Sequence, residues 1–271
     1  MATATEIITE TKYEPKRIGH VNGLGEIFEL SAPFHKQVEV FQNKGIAYAT
    51  PEDIARIRLA GLSNNWSRTN VAPITFKGEK TVLYKPSPLM NLIMAKYAVN
   101  AHSSGQYPVF PRKFYELARN QAESEYGKEP EDRSALILSN DGDYELTPEM
   151  PETMFLLRKF TKEYFDRFED ELKISLFNLT SDLKRESIVN YLGFGNPHWY
   201  MSNINCRNMD LNDNYWAFGV LRADKISEAT QKNLPSRQED VEKYISLVQG
   251  VRKDDLPASQ LEEVVDFFKK L

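Results

Sequence analysis

Large apolar side chains at Phe155, Leu156, Phe160, Tyr164, Phe168, Leu172, Leu176 and Leu179 recur every three or four positions. At 3.6 residues per turn that spacing places them on one face of a helix. The segment from about Pro151 to Tyr191 is therefore expected to form two consecutive helices, ended by Gly193, Gly195 and Pro197. Weaker forms of the signal occur earlier. Thr50, Pro51, Glu52 and Asp53 supply a capping hydroxyl, a first-turn proline and two acids for a helix carrying Ile54, Ile57, Leu59 and Leu62 to about Ser63. Ser87 and Pro88 open another helix, with Leu89, Leu92, Ile93, Tyr97 and Val99 on its apolar side. Pro111 opens a third, through Phe114, Tyr115, Leu117 and Ala118.

Strand signals are sparser. Gly25 to Leu30, with Val38, Val40 and Phe41, suggests short extended segments, and Thr75 to Val82 around Gly78 suggests a hairpin. The chain is thus expected to be mainly α: two helical lobes with an extended N-terminal arm and a few short strands or a hairpin. Residues 1–22 form the arm, 23–128 a basic N-terminal lobe, 129–150 an acidic linker and 151–271 a helical C-terminal lobe. Two short helices are expected within the last of these, near Gln238 to Val248 and Ser259 to Leu271.

Cys206 is the sole cysteine among 271 residues, so no disulfide forms within the chain and no cysteine-based metal cluster can be built from it. Met1 to Glu10 has neither a basic nor a long apolar stretch, and no run approaches the ~18 apolar residues of a membrane span. A cytoplasmic, membrane-free protein is expected. His20, His35, His102 and His198 are scattered, and no phosphate-binding glycine motif or serine-nucleophile motif is present, so neither a cofactor nor a catalytic residue is assigned. Asp141, Asp143 and Glu145 lack the remaining ligands of a calcium loop and read as a solvated turn.

Charge is unevenly placed. Lys44 to Arg119 holds eleven cations against four carboxylates, whereas Gln121 to Phe155 holds two against ten. The cations are interleaved with Trp66, Phe76, Tyr84, Tyr97, Tyr107, Phe110, Phe114 and Tyr115. Cations offset phosphate charge and flat rings stack on bases, which is what a single strand of nucleic acid requires. Arg56, Arg58, Trp66, Arg68, Lys77, Lys80, Lys85, Arg112 and Lys113 are the candidate nucleic-acid-binding residues. The competing reading makes the rings core and the cations wet helix faces docked on the protein's own acidic stretch.

These features together suggest a non-enzymatic, self-assembling subunit that covers single-stranded nucleic acid, in the manner of a coat or nucleocapsid protein. Its partners would be other copies of itself, reached through the arm, and the strand. Two alternatives stand beside it: a hydrolytic enzyme with carboxylates on the second lobe, and a monomeric adaptor that binds protein through Tyr215, Trp216 and Phe218.

Overall fold

The computed structural model describes residues 13–87, 91, 94–95, 112–140, 144–168, 175–176, 187–189, 191–195, 204–205 and 214–222. Within these the chain runs β1 (Lys16–Val21), β2 (Gly25–Ala32), α1 (Phe34–Asn43), β3 (Ala47–Tyr48), α2 (Pro51–Leu59), β4 (Ser67–Arg68), β5 (Ala72–Phe76), β6 (Val82–Tyr84) and α3 (Arg112–Ser124). It continues through β7 (Ala135–Ile137), β8 (Tyr144–Glu145), α4 (Pro151–Leu157), α5 (Thr161–Phe168), β9 (Ser175–Leu176), β10 (Ser187–Val189), β11 (Gly193–Phe194), β12 (Ile204–Asn205) and β13 (Tyr215–Leu221).

A seven-stranded sheet has the order β1-β2-β13-β4-β11-β12, with β3 also paired to β13, and a four-stranded sheet has the order β10-β5-β6-β7. β13 runs antiparallel to β2 from Tyr215 opposite Ala32 to Leu221 opposite Glu26, and parallel to β4 at Ala217 and Arg68. Both faces of this strand are covered. Phe218 and Val220 join Ile27, Ile54, Ile57, Phe155, Leu156 and Tyr164 in the main core, while Ala217 joins Leu30, Ala32, Phe41 and Ile46 beneath α1. A strand buried on both faces reads as a continuous apolar run and loses the alternation that marks a half-wet one. The second sheet is covered by α3, whose Phe114, Tyr115, Ala118 and Ala122 pack on Ile74, Phe76, Val82 and Ala135.

Local chemistry explains where the helices begin and end. The Thr50 hydroxyl accepts from the Asp53 amide at 3.1 Å and the Asp53 carboxylate accepts from the Thr50 amide at 3.0 Å, a reciprocal cap that starts α2. α1 ends on Gly45, whose φ of 66° admits a left-handed turn. The Gly45 amide then reaches Gln42 O at 3.1 Å and the Ile46 amide reaches Phe41 O at 2.8 Å.

The expected mainly helical, two-lobed architecture is corrected by these sheets. Residues from Lys16 onward, assigned to an arm, form β1 of the larger sheet, whereas Val38, Val40 and Phe41, assigned to extended chain, lie in α1. Within the long helical region the described helix runs to Phe168. Ser175–Leu176, Ser187–Val189 and Gly193–Phe194 are strands, because a short strand can carry apolar residues as densely as a helix does. The glycine pair at 193 and 195 is no helix stop: Gly193 sits in β11, where an added Cβ would lie 2.2 Å from Cζ2 of Trp66. The stretch 129–150 supplies β7 to the second sheet and Leu136, Leu138 and Leu146 to the core. The α2 start, the hairpin of β5 and β6, and α3 stand where the sequence places them. Residues 1–12 of the arm and the helices expected near Gln238 and Ser259 lie outside the described residues.

Glu125, just past α3, joins that helix to β7. Its carboxylate takes the Ser134 amide at 2.7 Å, the Ala135 amide at 3.3 Å, Lys128 at 3.0 Å and Gln121 at 3.0 Å. Burial pushes this carboxyl up, yet the Ser134 amide, Lys128, Gln121 and the Ala135 amide outweigh it and hold it down at about 2, against an ordinary 4.5. Because the folded state binds this proton more weakly, its stabilisation is complete above 4.5 and is lost as pH falls toward 2. Glu125→Gln is expected to cost about 2–3 kcal/mol at pH 7 and to flatten the loss of stability between pH 4.5 and 2, read by urea denaturation across that range. Parallel acid profiles for the two proteins would exclude the carboxylate as the cause.

Candidate functional site

A cavity of about 440 Å³ opens between α1, β3 and the helical turn at Asn91. One wall is apolar and comes from the end of α1 and its turn: Val38, Phe41, Ile46 and Ala47. The turn described above carries Ile46 back onto Phe41, and both pack over Gly219, where a Cβ would meet Ile46 Cγ2 at 2.4 Å and Phe41 Cε1 at 2.9 Å. The other wall is polar: Thr50, Asn70, Asn91 and Arg222.

Each polar group is placed by an identifiable constraint. Arg222 directly follows β13 and its Nη2 donates to both carboxylate oxygens of Asp53, at 2.9 and 3.0 Å, so the capping acid of α2 also fixes the strand end. The Asn70 amide donates to Ala49 O at 3.2 Å, and the Asn91 amide to Ser87 O at 2.8 Å. Tyr48 donates its hydroxyl to Gln37 Oε1 at 2.7 Å, and the buried Gln37 amide donates in turn to Ala32 O at 2.9 Å and to Tyr215 O. Burial pushes the Tyr48 hydroxyl far above its ordinary value, with Arg68 opposing.

Two atoms in this wall break the usual rule for buried polar groups. Asn70 Oδ1 and Asn91 Oδ1 are shut off from solvent and accept no hydrogen bond, and Asn91 as a whole is only 4 % exposed. A buried acceptor without a donor costs about 1–3 kcal/mol. Neither oxygen has surface open to a water-sized probe, so both face packed protein and not the open space of the cavity.

The cations selected from the sequence fall into separate groups. Arg58 is 3 % exposed and donates to Tyr164 Oη at 3.0 Å, to Asn65 O and Phe194 O at 3.3 Å each, and to Gly195 O. Arg68 is fully buried, its guanidinium 4.8 Å from the Tyr215 ring and 5.9 Å from that of Phe34. Trp66 packs against Tyr215 with ring centres 5.1 Å apart and planes tilted by 55°. Arg56 donates to Asn22 O at 2.9 Å and lies over Phe160. Lys85 donates to Phe155 O at 2.7 Å, and burial, then Arg158, lowers its ammonium to about 7 against the pull of Glu52 and Glu125. The structure does gather Lys77, Lys80, Arg112 and Lys113 at the β5–β6 turn and the start of α3, but Glu79 and Glu116 sit among them. Arg112 pairs with both at 3.2 and 3.1 Å, and Lys80 donates to Ser139 O at 3.1 Å. Among the described residues Lys77 and Lys113 are exposed and form no ion pair. Of the adaptor residues, Phe218 is fully buried and Trp216 is 38 % exposed.

Among the described residues no cluster of three His, Cys, Asp or Glu is placed to hold a metal ion, and no helix is long and apolar enough to cross a membrane. Sequence reasoning missed Asn70, Asn91 and Arg222. None belongs to a motif, and Arg222 meets Asp53 across 169 residues of chain.

No family model and no curated protein matches the chain. A solved structure described as "Accommodation of massive sequence variation in Nanoarchaeota by the C-type lectin fold" aligns with a TM-score of 0.51 and 15% identity, covering 74% of this chain and 99% of that one. The likeness is one of fold: the chain is similar to a C-type lectin fold, which replaces the helical, two-lobed expectation.

Two stability measurements test the placements. Arg58→Ala strands several buried carbonyls and is expected to cost about 3 kcal/mol in urea denaturation; a loss below about 1 kcal/mol would mean that the guanidinium is not enclosed. Asn91→Leu replaces an unsatisfied amide by an apolar group of similar size and is expected to raise stability by about 1 kcal/mol, whereas a comparable fall would show that the amide is already satisfied.

Proposed function

We propose that the chain is a non-catalytic recognition module that holds a small ligand in the cavity between α1, β3 and Asn91. The observation that carries this reading is a cavity of about 440 Å³ in which an apolar wall of Val38, Phe41 and Ile46 faces a polar one of Thr50, Asn70, Asn91 and Arg222. A wall of Val38, Phe41 and Ile46 offers an apolar body somewhere to lie, and the polar groups opposite would fix its orientation. Further support is architectural. The solved structure of similar fold is described as accommodating massive sequence variation, and a framework that tolerates changed side chains suits a protein whose task is recognition.

The coat-like reading is a competing proposal. It would rest on Lys77, Lys80, Arg112 and Lys113, since Arg58 and Arg68 are engaged inside the protein. Self-assembly and a strand partner belong to it.

Ala47 is exposed and lines the cavity, so Ala47→Trp should fill the opening while leaving the fold intact. Ligand-observed NMR of the wild type with a fragment library is expected to give mutually competing binders that vanish with Ala47→Trp. Binders that persist in that variant, or none at all, would remove the cavity as the site. Fluorescence polarisation with a labelled single-stranded oligonucleotide runs alongside. Tight binding that is untouched by Ala47→Trp, falls steeply with salt and is lost on Lys77→Glu with Lys113→Glu would favour the coat-like reading instead.

A further inference from the structure

The start of the described chain is fastened beside the cavity. Tyr13 packs on the cluster of Leu30, Ala32, Phe41, Ile46 and Ala217, of which Phe41 and Ile46 also form the apolar wall of the cavity. Glu14 forms an ion pair with Lys44 at 2.9 Å. Lys44 stands between Gln42 and Gly45, which line the cavity as well. Residues 13 and 14 are thereby held to the end of α1 and its turn, the elements that build one wall.

Residues 1–12 precede this anchor and lie outside the described residues. Their sequence places Ile7 and Ile8 together among Thr3, Thr5, Thr9 and Thr11. Such a stretch carries the two kinds of group that the cavity walls complement: branched apolar side chains for Val38, Phe41 and Ile46, and hydroxyls and backbone amides for Gln42, Thr50 and Arg222. Its reach is sufficient. An extended chain advances about 3.3 Å per residue, so the stretch from Tyr13 back to Ile8 spans up to about 17 Å, whereas a helix with its side chains is only about 10–12 Å across. A segment on so short a tether also meets the cavity at an effective concentration on the order of a millimolar. A contact too weak to detect between separate molecules is then well populated within one.

We propose that the cavity is a docking site for the chain's own residues 1–12, with Ile7 and Ile8 lying on its apolar wall. A small ligand enters by displacing this segment, which makes the segment a regulator of the site. This rests on the cavity being the binding site and adds what competes for it.

The test is made in the full chain carrying Cys206→Ala, so that introduced cysteines are the only thiols. Ala47 is exposed and lines the cavity. Under oxidised glutathione, Ile8→Cys with Ala47→Cys is expected to close a disulfide within one molecule, read by intact mass and peptide mapping. Ile8→Cys with Lys162→Cys is expected to stay open, because Lys162 lies on α5, whose Tyr164 and Phe165 belong to the core on the opposite face of β13 from Phe41 and Ile46. A second measurement needs no cross-link. Ala47→Cys alone should react with Ellman's reagent about tenfold faster once residues 1–12 are deleted, or once Ile7→Asp and Ile8→Asp are introduced. Equal rates in the three proteins, or cross-linking at position 162 as readily as at position 47, would overturn the segment as occupant while the cavity stands. A disulfide joining two molecules would put a neighbouring copy's segment there and overturn the contact within one chain. Fragments that bind neither the full chain nor the shortened one would remove the cavity reading, and this docking with it.

Discussion

The pairing of β13 with β2 is the constraint on which the rest of the structure depends. Seven residues near the C-terminal end of the described chain lie in register with seven near its start, Tyr215 against Ala32 through Leu221 against Glu26. The same strand then carries β4 and β3 along its other edge. Gln37 reinforces this seam from α1: its buried amide donates to the carbonyls of Ala32 and Tyr215, one from each paired strand, while its oxygen takes the Tyr48 hydroxyl. Closing a loop of this length is entropically costly before the contacts repay it, so the larger sheet is expected to complete late in folding. The smaller sheet pairs β5, β6 and β7 from closer stretches of chain, a more local route to structure.

This seam explains why much of the basic block turns inward. β4 delivers Arg68 beside β13, and α2 delivers Arg58 toward β11, where loop and strand-end carbonyls lack ladder partners. A guanidinium with its several donors satisfies such carbonyls at once, and its flat face packs on rings, here Phe194 for Arg58 and Tyr215 for Arg68. Cations and aromatics interleaved in a sequence are therefore ambiguous. The same residue types that stack and neutralise a nucleic acid also hold irregular backbone together in a protein with short strands.

Features set by neighbouring residues were legible: the Thr50–Asp53 cap, the turn at Gly78 in the β5–β6 hairpin, and the start of α3 after Pro111. What depended on distant chain was not. From Pro151 the apolar spacing is truly helical to Phe168, but Leu176 and the residues around Ile188 continue the pattern inside strands whose partners lie in β8 and β5. α1 was hidden by Val38 and Val40, branched residues that favour strands. Its true signal was the Asn43-Lys44-Gly45-Ile46 stop, where glycine alone suits the turn. The segment Asp210 to Val220 reads only as aromatic and Asn-rich, because β13, a strand covered on both faces, shows no alternation.

The cavity follows from the same two devices. Gly45 turns the chain so that Ile46 folds back on Phe41, and Gly219 leaves room beneath them; a side chain at either glycine would strain the turn or close the space between α1 and the sheet. The wall opposite is fixed by Asp53, which caps α2 and grips Arg222 with one carboxylate. Asn70 and Asn91 belong to the same wall, and each has a side-chain oxygen buried without a hydrogen bond. Natural cores remove such defects readily, since a leucine of similar size would do so at Asn91. Buried atoms without a hydrogen bond also occur away from the cavity, at Arg58 Nε, Ser67 Oγ and Thr153 Oγ1, so what sets the cavity apart is its apolar wall facing a polar one.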